Sequence, residues 1–363
     1  MVITKLETIV LSIPFEDGSE GVGIMPTKWD KLDFTLVRIE TDSGLIGWGE
    51  GFGYSCSKAT AAIIERIIAP LLIGCKLTSP PEMCAEIQRK MVLQGRYGIS
   101  TFALSGVDIA LWDLKAKAEG VSIASLLDGV KRKNVPAYAS LVRYGNDQVV
   151  EYCEKAILDG FPCIKLHEIT MPPIRNSCKA IGGEAKMVVD VNCNWSEEFT
   201  RNTIPELLEL GTFWLEEPIF PPEDFRLLSR LRETGIPIAA GENACTAYQF
   251  DHMLREDAVD FVQPSITKVG GISEYVKIKE LSDRKKKTMM PHSPYFGPGY
   301  LASLQMAARG GEDEYFEYLY IEPERWLYAE IPLPLKGCIE IPDGPGLGMD
   351  PDPRVIEKYR VFE

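Results

Sequence analysis

Hydrophobic and polar positions keep one rhythm in the first third of this chain and another thereafter. Residues 3–13 alternate as a half-buried strand does, and residues 34–41 and 44–51 form two more β-rich runs. Asp42-Ser43-Gly44 joins the last two, and a Ser-Gly pair suits a tight hairpin turn. Residues 14–30, ahead of them, are rich in Gly, Pro and charge; a connection that long often serves as a functional lid. Three helical patterns follow. Residues 59–72 and 81–93 are amphipathic. Residues 101–118 are Ala-rich and apolar on several faces, which predicts a buried helix, and Gly120 is placed to stop it.

From residue 135 short apolar runs alternate with helical stretches. The runs are 135–141, 163–166, 187–191, 213–215, 236–240, 261–263, 288–290 and 315–318. Eight runs with helices between them predict an α/β fold built on a (β/α)8 barrel, modified where helices are short. The expected division is an α+β domain over residues 1–125, the barrel over 126–325, and a C-terminal segment over 326–363. Its Pro/Gly/Asp-rich stretch, 341–353, is expected to run back across the first domain.

Each run from the second onward ends in, or contains, a strong polar residue: Lys165, Asp190, Glu216, Glu242, Ser265, His292 and Glu317. The intervals are 23 to 27 residues, close to the roughly 25–30 residues of one βα unit. These side chains therefore occupy equivalent places, strand after strand, at the face where barrels carry their chemistry. Asp190, Glu216 and Glu242 fall on three adjacent strands. Three carboxylates converging on one point repel one another. A hard divalent cation such as Mg²⁺, one per site, resolves that and keeps positions open for substrate oxygens. The competing reading is three separate ion pairs with Lys or Arg. Glu217 is read as a supporting carboxylate, not a fourth ligand.

His167 and Asn192 share two of these strand ends and are read as facing substrate. Alternation puts Lys165 and His167 on one side of their strand. Near a bound cation the Lys165 pKa is expected to be depressed, which suits a general base; the alternative is a plain ion pair with a neighbouring carboxylate. His292 lies in a Pro/Gly-rich loop, Met290 to Gly299, which suits a shaped site or, alternatively, a turn histidine bonding backbone. His252, the third histidine, falls in a helical stretch and reads as a surface or packing residue.

Composition narrows the partners. The net charge is −14, which argues against nucleic acid and anionic membrane surfaces. An anionic substrate then needs a local cation. Nine cysteines without a CxxC pair predict reduced thiols in a cytoplasmic protein. The N-terminus has charges where a signal peptide needs an apolar run, and no stretch reaches the ~18 apolar residues of a membrane span.

These motifs together resemble the mandelate racemase/muconate lactonizing group of the enolase superfamily. The matching pieces are Ser105-Gly-Val-Asp-Ile-Ala-Leu-Trp-Asp113, Lys165-x-His167, Asp190-Val-Asn192, Glu216-Glu-Pro218, Gly241-Glu-Asn243, Gln263-Pro-Ser-Ile-Thr-Lys-Val-Gly-Gly271 and the loop around His292. The resemblance implies an N-terminal α+β domain that caps the barrel. It implies Mg²⁺ on the three carboxylates, a metal-stabilised enediolate, Lys165 as base and His292 as acid/base, with Glu317 bonding the substrate carboxylate. It also implies that the 14–30 loop, with Phe52 and Tyr54, closes over a small carboxylate substrate, and that the chain forms a symmetric homo-oligomer. Two departures stand out. His167 replaces a second lysine, and Ser265 stands where an Asp, or a second Lys base, is expected. A serine cannot stabilise a charged His292 as Asp would, so His292 is expected to be less basic and suited to act as an acid. Lys268 reads as a structural residue, not a replacement base.

The expected reaction is dehydration of an aldonic or aldaric acid to a keto acid. Racemisation or epimerisation of a hydroxy or amino acid derivative is the second reading, since it needs competent bases on both faces. A barrel that has lost activity and only binds a ligand is the third.

Overall fold

The computed structural model describes residues 1–16, 29–127 and 129–361. The first domain has an antiparallel sheet, β1 (Ile3–Glu16), β2 (Lys31–Thr41) and β3 (Ile46–Gly51), with the turn at Asp42-Ser43-Gly44. Most of the expected closing loop, residues 17–28, lies outside the described residues. The first helical pattern becomes α1 (Ser57–Ile63), a π turn (Ile64–Ile68) and α2 (Ala69–Leu72) in one run. Next come α3 (Pro80–Lys90) and α4 (Ile99–Glu119), and α4 ends on Gly120 in the left-handed conformation.

Helix α4 is buried on nearly every face, as its composition predicts, and three of its polar residues tie it to the rest of the protein. Asp108 accepts a hydrogen bond from the Ser273 backbone N–H at 2.9 Å. Ser105 Oγ accepts one from Gly270 N–H, also at 2.9 Å. Asp113 accepts from Trp48 N–H and from Leu347 N–H, each at 2.8 Å, and from Lys117 at 2.7 Å. β3 crosses α4 at backbone contact: a Cβ on Gly49 would lie 1.9 Å from the Gly106 carbonyl oxygen. Only glycine permits that approach.

The eight apolar runs form eight parallel strands: β4 (Asn134–Ser140), β5 (Cys163–Leu166), β6 (Lys186–Asp190), β7 (Trp214–Glu216), β8 (Ile238–Ala240), β9 (Phe261–Val262), β10 (Thr288–Met289) and β11 (Phe316–Leu319). They pair in sequence order from β4 to β10, and β11 pairs β4. Between β10 and β11 the wall is joined by Ser293 N–H donating to Glu317 Oε2 at 3.1 Å. After the barrel the chain touches the first domain again: Gly346 bonds to Val121 and Ile123, and Val361 N–H to the Val10 carbonyl.

Alternation within these strands builds the interior in layers. Tyr138, Cys163, Val188, Trp214, Ala239 and Met290 pack together as an apolar plug. Two residues further on, the same strands present Ser140, Lys165, Asp190, Glu216, Gly241 and His292. A two-residue step along a strand returns to the same face. The polar layer therefore rests directly on the plug.

Candidate active site

The three spaced carboxylates converge. One oxygen each from Asp190, Glu216 and Glu242 lie within 4.8 Å of one another. Asp190 and Glu216 are cross-strand partners at the ends of β6 and β7. Asp190 Oδ2 is buried without a well-aligned hydrogen bond. Three oxygen donors fit a hard divalent cation better than a soft one. Without a cation the charges sort themselves out. Burial pushes the Glu216 carboxyl well above its usual pKa; Lys165 opposes the shift and Asp190, Glu317 and Glu242 add to it. Against the cost of burial, His292 and Lys268 hold Glu242 down to about 2.

Lys165 is fully buried among these groups. Its Nζ lies 2.8 Å from Glu216 Oε1, 3.2 Å from Asp190 Oδ2 and 2.6 Å from Glu317 Oε1. Burial works to discharge the ammonium, but Glu216, Glu317 and Asp190 outweigh it and carry its pKa well above the usual value. The depressed pKa expected of Lys165 refers to the cation-bound site. The expectation assumed a cation beside Lys165; in the metal-free protein Lys165 is itself the counter-ion of the cluster. His167 Nε2 lies 3.2 Å from Asp190 Oδ2, and its Nδ1 meets the Leu141 carbonyl oxygen. Across the cluster, His292 Nε2 lies 3.0 Å from Glu242 Oε2 and Nδ1 lies 3.0 Å from Ser265 Oγ. Lys165 and His292 thus flank the carboxylates from opposite sides.

The polypeptide turns sharply where it delivers these groups. Asn192, Cys193 and Glu217 adopt φ of 43°, 60° and 40°, unusual for residues with side chains and characteristic of strained functional loops. Asn192 Oδ1 is buried without a partner. Glu217 supports the neighbouring loops: it accepts from Asn243 Nδ2 at 2.6 Å and from Cys193 Sγ at 3.2 Å. Glu317 is held by Ser140 Oγ at 2.8 Å.

A cavity of about 640 Å³ opens above this layer. His167, Asn192, Glu242, His292 and Glu317 line its base, and Phe52, Tyr54 and Lys268 line its wall. Lys268 is nearly buried, sits over the Phe52 and Phe102 rings and is 3.3 Å from Asn243 Oδ1. Tyr54 OH donates to the Pro294 carbonyl in the His292 loop. His252 lies outside the site on an exposed helix face.

Two residues escaped the sequence reading. Tyr295, three positions after His292, contacts Ser265 Oγ with its phenol. Glu50 on β3 is buried and accepts from Gly299 N–H at 2.8 Å, at the start of helix Pro298–Ala307 that follows the His292 loop. The available signal was a lone carboxylate in an otherwise apolar, Gly-flanked strand. Burial raises the Glu50 pKa from 4.5 to about 7, against two backbone hydrogen bonds that lower it. A raised folded pKa stabilises fully below the unfolded value and is lost as pH rises through about 7. Glu50 therefore removes about 3 kcal/mol between pH ~4.5 and ~7. Glu50→Gln is expected to flatten the pH dependence of thermal stability across that window; an unchanged slope would remove Glu50 from it.

Comparison with known proteins places the chain. The profile of the mandelate racemase/muconate lactonizing enzyme N-terminal domain matches residues 7–128, and that of the enolase C-terminal domain-like family matches residues 148–355. The chain belongs to the enolase superfamily, in its mandelate racemase/muconate lactonizing enzyme group. It is 31% identical to the D-galactarolactone cycloisomerase of Agrobacterium fabrum, over 99% of both chains. It is also 31% identical to the arabinonate dehydratase of Saccharolobus solfataricus, over 95% of both. The crystal structure of the 3,6-anhydro-D-galactonate cycloisomerase of Zobellia galactanivorans superposes with a TM-score of 0.88 at 28% identity, over all of both chains. Among the described residues no helix is long and apolar enough to cross a membrane, and all nine cysteines are free thiols.

Proposed function

We propose that the protein is a Mg²⁺-dependent acid sugar dehydratase that removes the proton alpha to a carboxylate and expels the β-hydroxyl. The observation that carries this reading is the placement of Lys165 and His292 on opposite flanks of the carboxylate cluster. Asp190, Glu216 and Glu242 would hold the cation. When bound, Mg²⁺ supplies the positive charge that neutralises these carboxylates and acidifies the substrate's α C–H.

With that charge supplied, the carboxylates around Lys165 no longer need its proton. Lys165 is then free to act as the base on the α hydrogen. His292 Nε2 gives its proton to the departing β-hydroxyl, which leaves as water. Glu317, fixed by Ser140 and Ser293, orients the substrate carboxylate by donating the proton that it takes over from Lys165, 2.6 Å away, with His167 and Asn192 at its edge. Phe52 and Tyr54 exclude water from above and contribute to specificity. The acidic surface and free thiols suit the cytoplasm, and a symmetric homo-oligomer is the expected assembly.

The names of two relatives favour a second reading, cycloisomerisation. It shares the α-proton step, but the departing oxygen belongs to a ring and stays attached. Mass spectrometry of products from a panel of aldonates, aldarates and their lactones separates the two. Dehydration gives a keto acid lighter by one water. A keto acid of unchanged mass supports cycloisomerisation, and an epimer of the starting acid, also of unchanged mass, supports racemisation. With Mg²⁺ present, no exchange of α hydrogen with deuterated water for any acid would overturn the enzymatic reading.

A further inference from the structure

Ser265 stands where an orienting carboxylate is expected, yet His292 has a partner on that side. Ser265 Oγ lies 3.0 Å from His292 Nδ1. The Tyr295 phenol contacts Ser265 Oγ and lies 3.4 Å from Nδ1. Ser265 and Tyr295 are 0% and 2% exposed, so bulk water does not compete for these bonds.

The direction of this chain follows from His292. His292 Nε2 faces Glu242 and the cavity, so the ring must be anchored through Nδ1. An Nδ1–H can donate to Ser265 Oγ. Ser265 O–H then needs an acceptor, and the Tyr295 oxygen is in place. Ser265 then accepts one bond and donates one. The backbone fixes both ends, since Ser265 and His292 form a parallel bridge between neighbouring strands. Glu50 holds the helix start just past Tyr295.

We propose that Tyr295, acting through Ser265, is a positioning residue that replaces the missing carboxylate and aims His292 Nε2 at the departing oxygen. The inference rests on the elimination reading above. Tyr295 holds the Ser265 hydroxyl as an acceptor toward Nδ1–H. When Nε2 gives its proton to the leaving oxygen, Nδ1 keeps its own, so His292 finishes as the neutral Nδ1–H tautomer. A hydroxyl pair does this without adding a charge to a buried site.

The test uses the ¹⁵N-labelled, Mg²⁺-loaded protein and the variants Tyr295→Phe and Tyr295→Phe/Ser265→Asp. Two-bond ¹H–¹⁵N correlation, assigned with His292→Asn, reads which ring nitrogen of neutral His292 carries the proton. The wild type is expected to show Nδ1–H, and Tyr295→Phe to revert to Nε2–H, the form imidazole prefers in water. On an acid that the wild type dehydrates, Tyr295→Phe should lower kcat about tenfold or more with KM within about twofold, a part of the ~10²–10⁴-fold of a general acid. Exchange of the α hydrogen, which depends on Lys165, should persist. The double variant should recover most of the loss, because the introduced carboxylate would accept from Nδ1–H directly. A wild-type tautomer in Tyr295→Phe, an equal fall in exchange and turnover, or a double variant as slow as the single one would each overturn the proposal. If no acid is exchanged or dehydrated by the wild type, the dehydratase reading fails, and the tautomer still decides the role of Tyr295.

Discussion

Lys165→Met is expected to abolish both turnover and exchange of the substrate α hydrogen, lowering each by at least about a thousandfold, within the range that general bases contribute. Its Nζ is the amine that touches the carboxylate cluster from the β5 side, within 3.2 Å of Asp190, Glu216 and Glu317. Methionine keeps the volume of the side chain and removes the base. The contrast is His292→Asn, which should lose elimination yet keep exchange, because the α proton leaves on the Lys165 side. In the metal-free protein Lys165→Met should also cost stability, since it leaves three buried carboxylates without their counter-ion. Mg²⁺ should restore much of that loss. Isothermal titration with Mg²⁺ and proton exchange in deuterated water check both halves. Exchange at the wild-type rate in Lys165→Met would remove this residue from the mechanism.

The behaviour of Lys165 also marks how far the sequence could be read. The strand ends were legible because a barrel repeats its strand, helix and strand at a nearly fixed length, so polar residues on that period had to share one face. The pleat did the rest: Ser140, Lys165, Asp190, Glu216 and His292 each stand two positions after a plug residue such as Trp214 or Tyr138. Charge states were not legible. They depend on which groups lie within about 4 Å across strands, and Lys165 meets carboxylates from β6, β7 and β11. Tyr295 was hidden for a related reason. It comes from an irregular loop, where no periodicity says which way a side chain points. Glu50 belongs to another domain altogether, and its contact with Gly299 spans 249 residues of chain.

Mg²⁺ binding should release protons and tighten with rising pH. In the metal-free protein, burial and the facing Asp190 and Glu317 keep Glu216 protonated well above its usual range. A cation placed on the same oxygens favours the ionised form, so binding expels that proton and weakens the hold of Lys165 on its own. With a proton released as the ion binds, apparent affinity should rise with pH until the folded-state pKa of Glu216 is passed. The stability sign agrees. A carboxyl whose folded pKa is raised stabilises below its unfolded value near 4.5, and that contribution falls as pH rises toward the folded value. The metal-free protein therefore weakens toward alkaline pH, where Mg²⁺ should stabilise it most. At a hundredfold excess over Kd the gain is about 2.7 kcal/mol. Calorimetry in buffers of different ionisation enthalpy measures the released protons directly. Glu216→Gln should bind Mg²⁺ more weakly and lose most of the pH slope. A binding enthalpy that ignores the buffer, with affinity flat from pH 6 to 8, would mean that the cation does not share its oxygens with that proton.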